Sequence, residues 1–143
     1  MNRVVTSIDF YTHIRDAVDV AAKLVAKAYA QHRHVRVLTP DAPTTDVLDE
    51  LLWVRPKHAF LPHCRARSPL AGETPIVIDD CLEHRGPAAV LINLHIAPPP
   101  FFARFERLAE IVTVDDAEAG RERWRFYRER GYPLRVHDLS ALQ

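Results

Sequence analysis

The chain has 143 residues, the usual length of one domain, and its 19 basic and 19 acidic residues leave no formal net charge. Proteins that bind nucleic acid non-specifically normally carry a basic excess, because Lys and Arg displace counterions from the phosphate backbone. The balanced charge of this chain gives no indication of such binding. The 4 glycines are too widely spaced for a phosphate-binding loop, which excludes the common nucleotide-binding fingerprints. No apolar run is long enough to span a bilayer, and 2 cysteines suit a reducing compartment. We therefore expect one cytoplasmic domain over residues 1–143.

The first part of the chain alternates predicted strands and helices. A β-rich run over 4–11 predicts the first strand. Apolar residues three and four apart over 14–29 predict an amphipathic helix, and 34–39 alternates like a strand that ends at Pro40. Residues 45–53 then predict a second, shorter helix.

The middle of the chain contains more loop. Residues 59–61 predict a short strand, and 63–74, with its arginines, proline and glycine, predicts an exposed connection. The near-continuous apolar runs 75–78 and 88–92 are typical of strands buried on both faces of a parallel sheet.

The C-terminal part continues the alternation. Three prolines precede a predicted helix over 101–108, since proline is tolerated in a first turn. A strand over 111–114 and a last helix over 115–130 follow, with Gly131 placed to cap that helix. Alternating strands and helices predict an α/β fold with a mainly parallel central sheet flanked by helices.

Two acidic residues follow a predicted buried strand, where α/β proteins often place their sites. Asp79 and Asp80 could therefore serve a small α/β hydrolase or nucleotide-processing enzyme. Adjacent residues of an extended chain point to opposite faces, however, so a polar strand end is the favoured interpretation.

A metal site is a second possibility, built from His63, Cys64, Cys81 and His84. The spacing of Cys81 and His84 is acceptable for zinc, but adjacent His63 and Cys64 cannot easily both be ligands. A buried cysteine and surface histidines are the favoured interpretation, and we expect no metal and no cofactor.

The last helix is the most informative segment, because arginines alternate there with aromatic residues. At 100° per residue, Arg121, Trp124, Arg125 and Arg128 share one sector and Phe126 lies away from it. Such a face suits an acidic peptide with a hydrophobic end: arginines bind carboxylates and the indole packs an apolar residue. The alternative is a solvated face on which helical glutamates neutralise the arginines.

A second segment, 48–63, places bulky apolar residues beside prolines. Trp53, Phe60 and Pro62 could form a rigid binding patch, since prolines lower the entropy lost on docking. For Trp53 and Phe60, packing in the core is the favoured interpretation from the residues alone.

These two segments also carry a family resemblance. The first reads Leu48-Asp49-x-x-Leu52-Trp53 and then Phe60-Leu61-Pro62-His63, and the second runs from Arg121 to Tyr132. Together with Asp9-Phe10-Tyr11 near the N-terminus, they resemble the chi subunit of bacterial DNA polymerase III over nearly the whole chain.

The resemblance implies a Rossmann-like fold without a nucleotide site and a non-catalytic adaptor in the clamp-loader assembly. Its partners would be the psi subunit and the acidic C-terminal tail of single-stranded DNA-binding protein, with no direct contact to nucleic acid. By motif position, Arg121 and Trp124 would bind the tail, and Arg125 and Arg128 would extend the cationic face. Trp124 stands where the family commonly has tyrosine. Ala117 and Glu118 stand where family members sometimes carry a basic residue, one or two helical turns before the motif. Phe60, with Trp53 and Pro62, would face psi or another partner such as a helicase.

Overall fold

The computed structural model describes residues 5–54 and 60–140, in which seven parallel strands form one sheet. The strands are β1 (Ser7–Ile14), β2 (Val35–Leu38), β3 (His63–Cys64), β4 (Ile76–Asp79), β5 (Val90–Asn93), β6 (Arg107–Thr113) and β7 (Leu134–Asp138). Their order across the sheet is β3-β4-β2-β5-β6-β1-β7, and every pairing is parallel. The predicted three-layer, Rossmann-like α/β class is confirmed.

Two helices, α1 (Ala17–Ala30) and α2 (Ala42–Val54), cover one face of the sheet. The start of α1 is fixed by Asp16, whose side chain accepts a hydrogen bond of 3.0 Å from the Asp19 backbone N–H. Its apolar stripe packs on Val37 and Ile92 of the central strands. The helical periodicity of this part of the sequence is thus explained by burial of one side of each helix.

The other face is covered by α3 (Ala117–Glu129) and by an aromatic cluster. Phe10, Phe102 and Tyr127 meet there edge-to-face, with ring centroids 5.0–6.0 Å apart. Gly131 has φ of +82° and its N–H donates to Arg128 O at 3.0 Å, so the predicted glycine cap of the last helix is confirmed.

The helix predicted over 101–108 is wrong. Only a 3-10 turn forms, at Phe102–Arg104, and β6 begins at Arg107. The helix-like spacing of Phe101, Phe102 and Phe105 reflects burial of three rings by a single turn. Strand structure prevails after that turn because β6 lies between β1 and β5 and pairs with both.

Other boundaries also differ from the predictions. β1 extends through Ile14, which the periodicity had placed in the first helix, and residue 4 lies outside the described residues. The short strand predicted at 59–61 is not found at Phe60 and Leu61, and Ala59 lies outside the described residues. β3 instead falls at His63–Cys64, inside the predicted connection.

The edge strand β7 was not predicted from the sequence. Its five residues include Arg135, His137 and Asp138, which do not read as a buried strand. Pairing with β1 alone leaves one side of β7 without a strand neighbour in the described sheet, so polar residues are tolerated there. Within residues 5–54 and 60–140, no helix has the length and apolar content needed to span a membrane.

Candidate functional site

The helix α3 has a buried side and a charged side. Gly120, Arg123 and Tyr127 are buried against the sheet. The exposed residues Arg121, Arg125 and Arg128 lie on the opposite side, and the half-buried Trp124 lies at the border. The predicted sector of three arginines and one tryptophan is therefore confirmed as a surface stripe.

The indole of Trp124 is held against the sheet. Its centroid lies 5.2 Å from that of Phe10, at an interplanar angle of 71°. An edge-to-face contact of this kind fixes the ring while part of it stays open to solvent. Trp124 thus presents a rigid apolar surface.

A pocket of about 400 Å³ lies beside this indole, between α3 and the sheet; we call it the α3 pocket. Arg121 and Trp124 both line it, whereas Arg125 and Arg128 do not. Most of its other lining atoms are apolar, from Phe10, Val112, Val114, Ala117, Gly120 and Val136, with Thr12, His13 and Thr113 completing it. The pocket therefore offers an apolar interior with a guanidinium group in its wall.

The close approach of α3 to the sheet depends on Gly120. A Cβ atom at this position would lie 2.5 Å from Val112 Cγ1 and 2.9 Å from Val112 Cγ2. Such distances are far below van der Waals contact, so only glycine fits without a shift. Gly120 accordingly lets α3 lie close to Val112 at the wall of the α3 pocket.

A buried polar network locks the inner side of α3. Arg123 Nε donates to Glu110 Oε1 at 2.9 Å, and Asn93 Nδ2 donates to the same oxygen at 2.8 Å. The Tyr127 hydroxyl donates to Glu110 Oε2, and Arg123 Nη1 donates to Ile96 O at 2.8 Å. Charged groups this deeply buried need partners on every side, and here each has them.

Burial governs protonation within this network. It raises the pKa of Glu110 to about 7, although the charge of Arg123 and the hydrogen bonds to the carboxylate act in the opposite direction. Burial and the neighbouring Glu110 likewise raise the pKa of the Tyr127 phenol. Glu110 and Arg123 are almost fully inaccessible, so the network positions α3 and presents no group to a ligand.

The second predicted segment forms an exposed aromatic patch. Trp53 is 55% exposed and Phe60 62% exposed, and their ring centroids lie 5.3 Å apart. The interpretation of both as core residues is wrong: α2 turns its Thr45, Leu48 and Leu52 side to the sheet and not Trp53, and Phe60, which lies beyond α2, is exposed as well. Pro62 is half-buried, and residues 55–59 of this segment lie outside the described residues.

His63 supports the aromatic patch from below. Its side chain is buried, its Nδ1 donates to Leu61 O at 2.6 Å, and its ring centroid lies 4.7 Å from that of Trp53. The Nε2 atom lies 3.2 Å from Asp49 Oδ1 but without hydrogen-bond geometry. His63 therefore packs beneath the indole.

The possible metal ligands are engaged elsewhere. His84 Nε2 lies 2.9 Å from Pro87 O, and Cys81 Sγ lies 3.6 Å from the Nη2 atom of the buried Arg36. Cys64 and Cys81 are both free thiols. Over the described ranges, no three His, Cys, Asp or Glu residues are grouped to hold a metal ion.

Asp79, the last residue of β4, holds two neighbouring loops through hydrogen bonds to their backbone N–H groups. Its Oδ1 accepts the Cys81 N–H and its Oδ2 accepts the Ala66 N–H, both at 2.9 Å. Burial alone would raise the pKa of Asp79, but these hydrogen bonds outweigh it and the pKa lies below its ordinary value. Asp80 is exposed while Asp79 is buried, as expected for adjacent residues of an extended chain.

Comparison with known proteins decides the family. Residues 5–135 match the family model described as DNA polymerase III chi subunit, HolC. The chain belongs to this chi family. It is 35% identical to the DNA polymerase III subunit chi of Pseudomonas aeruginosa, over 96% of this chain and 99% of that relative.

Two further chi subunits are more distant. The Escherichia coli protein is 26% identical over 90% of this chain and 88% of its own length. The Haemophilus influenzae protein is 28% identical over 85% of this chain and 87% of its own length. The region matched by the family model, residues 5–135, includes α2, the aromatic patch and all of α3. Membership of the chi family gives this chain an accessory role in DNA replication.

Two positions of this chi-family chain were missed by sequence reasoning. Arg123 was counted among the interleaved arginines, yet it is buried on Glu110. The available signal was the helical angle, since Arg123 lies on the side of α3 shared by Gly120 and Tyr127 and not on the side of Arg121. Gly120 had no such signal, because its contact with Val112 depends on how α3 lies on the sheet.

Proposed function

We propose that this chain is a non-catalytic adaptor that links the clamp loader, through psi, to the acidic C-terminal tail of single-stranded DNA-binding protein. The observation that carries the proposal is the joint placement of Arg121 and Trp124 in the wall of an apolar pocket. Such an adaptor would work in the cytoplasm at the replisome, and it needs no reacting group of its own.

The chemistry of the α3 pocket suits the end of an acidic, hydrophobic tail. A C-terminal phenylalanine places a carboxylate next to an apolar ring. Arg121 can bind that carboxylate bidentately while the ring packs on Trp124 and Val112. A single residue supplies both the backbone carboxylate and the apolar ring only when it ends the chain. The pocket therefore favours a chain terminus over an internal segment.

The remaining arginines have a longer-range role in this proposal. Arg125 and Arg128 are exposed and lie outside the α3 pocket, so they would attract the acidic residues that precede the terminus. Exposed charge pairs are screened by salt and individually weak. Each tetramer of single-stranded DNA-binding protein carries several tails, and their high local concentration would compensate for the weakness of each contact.

The aromatic patch is the proposed site for psi or for a helicase that uses the same surface. Trp53 and Phe60 are large, exposed and in mutual contact, and Pro62 stiffens the chain beside them. Exposed aromatic anchors of this kind are the usual centres of protein interfaces. The described part of the patch is formed by the end of α2 and by residues 60–62, whereas the α3 pocket lies on the other face of the sheet.

The test of tail binding is fluorescence anisotropy with a labelled acidic peptide ending in Asp-Asp-Ile-Pro-Phe. We expect binding that weakens as salt increases, and a loss of about tenfold or more in Arg121→Ala. Arg85→Ala is the matched control, because Arg85 is also exposed but lies in the loop after β4. Equal affinity of Arg121→Ala and the control would refute the assignment.

A further inference from the structure

A second pocket lies on the opposite face of the sheet, beneath the C-terminal half of α1; we call it the α1 pocket. Its volume is about 300 Å³, and its charged rim contains Lys27, Arg33 and Arg107. The floor is formed by β1, β5 and β6 through residues such as Tyr11, Ile92 and Ala109. The function proposed above makes no use of this pocket.

The rim of the α1 pocket carries a positive excess. Asp9 is the one carboxylate among the described lining residues, and its Oδ1 is 3.0 Å from both Arg135 Nε and His137 Nε2. Arg33 pairs with the exposed Glu106 at 3.1 Å, outside the lining. No described acidic residue forms an ion pair with Lys27 or Arg107, so both cations are available for an anion.

A pair of stacked rings stands beside these cations. Tyr11 and His137 lie with centroids 4.8 Å apart and an interplanar angle of 16°. His137 is on the edge strand β7, and 41% of its side chain is exposed. Burial and Asp9 raise the pKa of Tyr11, whereas Arg107 and Arg135 act to lower it, which places both guanidinium groups within electrostatic reach of the phenol.

We propose that this face of the sheet binds single-stranded DNA. The phosphates would lie along Lys27, Arg33 and Arg107, and an unpaired base would continue the stack of Tyr11 and His137. Cations that follow a backbone next to an aromatic platform are the general requirement for single-strand binding, because every base has a π face. A duplex has no free base for the stack, and an acidic peptide would leave the ring pair unused.

Zero net charge does not oppose this site, because charge is unevenly distributed. The positive excess at the rim is local, and a groove of one sign attracts counter-charge whatever the total. The expectation of no direct nucleic-acid contact came from the family resemblance and from the zero net charge, and neither takes account of this local pattern.

The two surfaces can be occupied independently. Along β1, Asp9 and Tyr11 line the α1 pocket, while Phe10 and Thr12 line the α3 pocket, because successive strand residues point to opposite faces. The DNA site therefore goes beyond the tail-binding proposal, and each can fail without the other. Loss of DNA binding need not alter capture of the peptide.

The test is anisotropy of a labelled dT oligonucleotide of twelve residues, titrated with the whole protein at low salt and at several salt concentrations. We expect a log–log salt slope of about −2, since each of three phosphate contacts contributes about −0.7 in single strands. Lys27→Ala/Arg107→Ala should weaken binding more than tenfold and reduce the slope by about 1.4. Arg67→Ala/Arg85→Ala removes the same charge elsewhere and should behave like wild type.

The ring stack has its own matched pair of variants. His137→Ala should lower DNA affinity about tenfold, and His137→Phe should keep it, although both release Asp9 equally. Circular dichroism verifies that each variant is folded. Absence of binding at low salt, or equal loss in both charge pairs, would overturn the proposal. The proposal would also be overturned if free dTMP competed as strongly as unlabelled oligonucleotide, or if the acidic peptide displaced the DNA.

Discussion

Trp124 of α3 meets Phe10 of β1 edge-to-face, with ring centroids 5.2 Å apart. Phe10 is a buried residue of the sheet, so a side chain at the surface is positioned directly by the core. The same two rings line the α3 pocket next to Arg121. A rigid apolar surface lowers the entropy lost when a flexible peptide docks on it.

Trp124→Ala should weaken binding of the acidic peptide about 30-fold, the effect of losing a contact of about 2 kcal/mol at an interface centre. Trp124→Tyr should stay within a few-fold of wild type, because a phenol ring can also pack on Phe10. Peptide anisotropy measures both variants. A tyrosine variant as weak as the alanine variant would contradict the packing role.

Phe60→Ala should leave the free energy of unfolding within about 0.5 kcal/mol of wild type, as for other surface substitutions. Its side chain is 62% exposed and makes its ring contact with Trp53, itself exposed. The same variant should fail to retain psi in a pull-down with purified proteins. Leu82→Ala, at a residue of similar exposure in the loop after β4, is the control. If Leu82→Ala lost psi to the same extent as Phe60→Ala, the aromatic patch would not be the psi-binding site.

Arg123→Met should lower the free energy of unfolding by about 3–5 kcal/mol, because it leaves Glu110 buried without its counter-ion. Glu110→Leu/Arg123→Met removes both charges and should recover much of that loss. Urea unfolding followed by tryptophan fluorescence gives the three values. A double variant as unstable as the single one would mean that packing, not charge, dominates this site.

Gly120→Ala should destabilise the protein by about 1–3 kcal/mol, the usual cost of overpacking. The new methyl group would lie 2.5 Å from Val112 Cγ1. Adding Val112→Ala removes that clash, so the double variant should be more stable than the sum of the two single changes indicates. Thermal unfolding of the four proteins completes the cycle, and strict additivity would argue against the contact.

Asp79→Asn should lower stability at neutral pH by about 1–3 kcal/mol, since an amide cannot accept both the Cys81 and the Ala66 N–H. The folded-state pKa of Asp79 lies below its ordinary value of 3.8, so its contribution is present above that pH and is lost as the pH falls further. The difference between variant and wild type should therefore shrink from pH 7 to pH 3. Asp80→Asn, at the exposed neighbour, should show little change at either pH.

The sequence by itself determined the fold class and the surface stripe of α3. Apolar helical spacing identified α1 and α2, because a helix with one buried side must repeat its apolar residues near 3.6, and the cap at Gly131 marked the end of α3. The same angular argument placed Arg121, Trp124, Arg125 and Arg128 on one side of α3, since helix geometry is local. Motif order indicated the chi family, and residues 5–135 confirm it.

Tertiary structure decided what depends on neighbours distant in the chain. A helix is predicted over 101–108, but only a 3-10 turn forms at Phe102–Arg104, and from Arg107 the chain enters β6 between β1 and β5. Trp53 and Phe60 read as core, but α2 turns another side than that of Trp53 to the sheet, and Phe60, beyond α2, is exposed. Burial of Arg123 on Glu110 and the approach of Gly120 to Val112 follow from how α3 lies on β6. Periodicity specifies which side of an element is buried, whereas the partner on that side is fixed only when the elements pack.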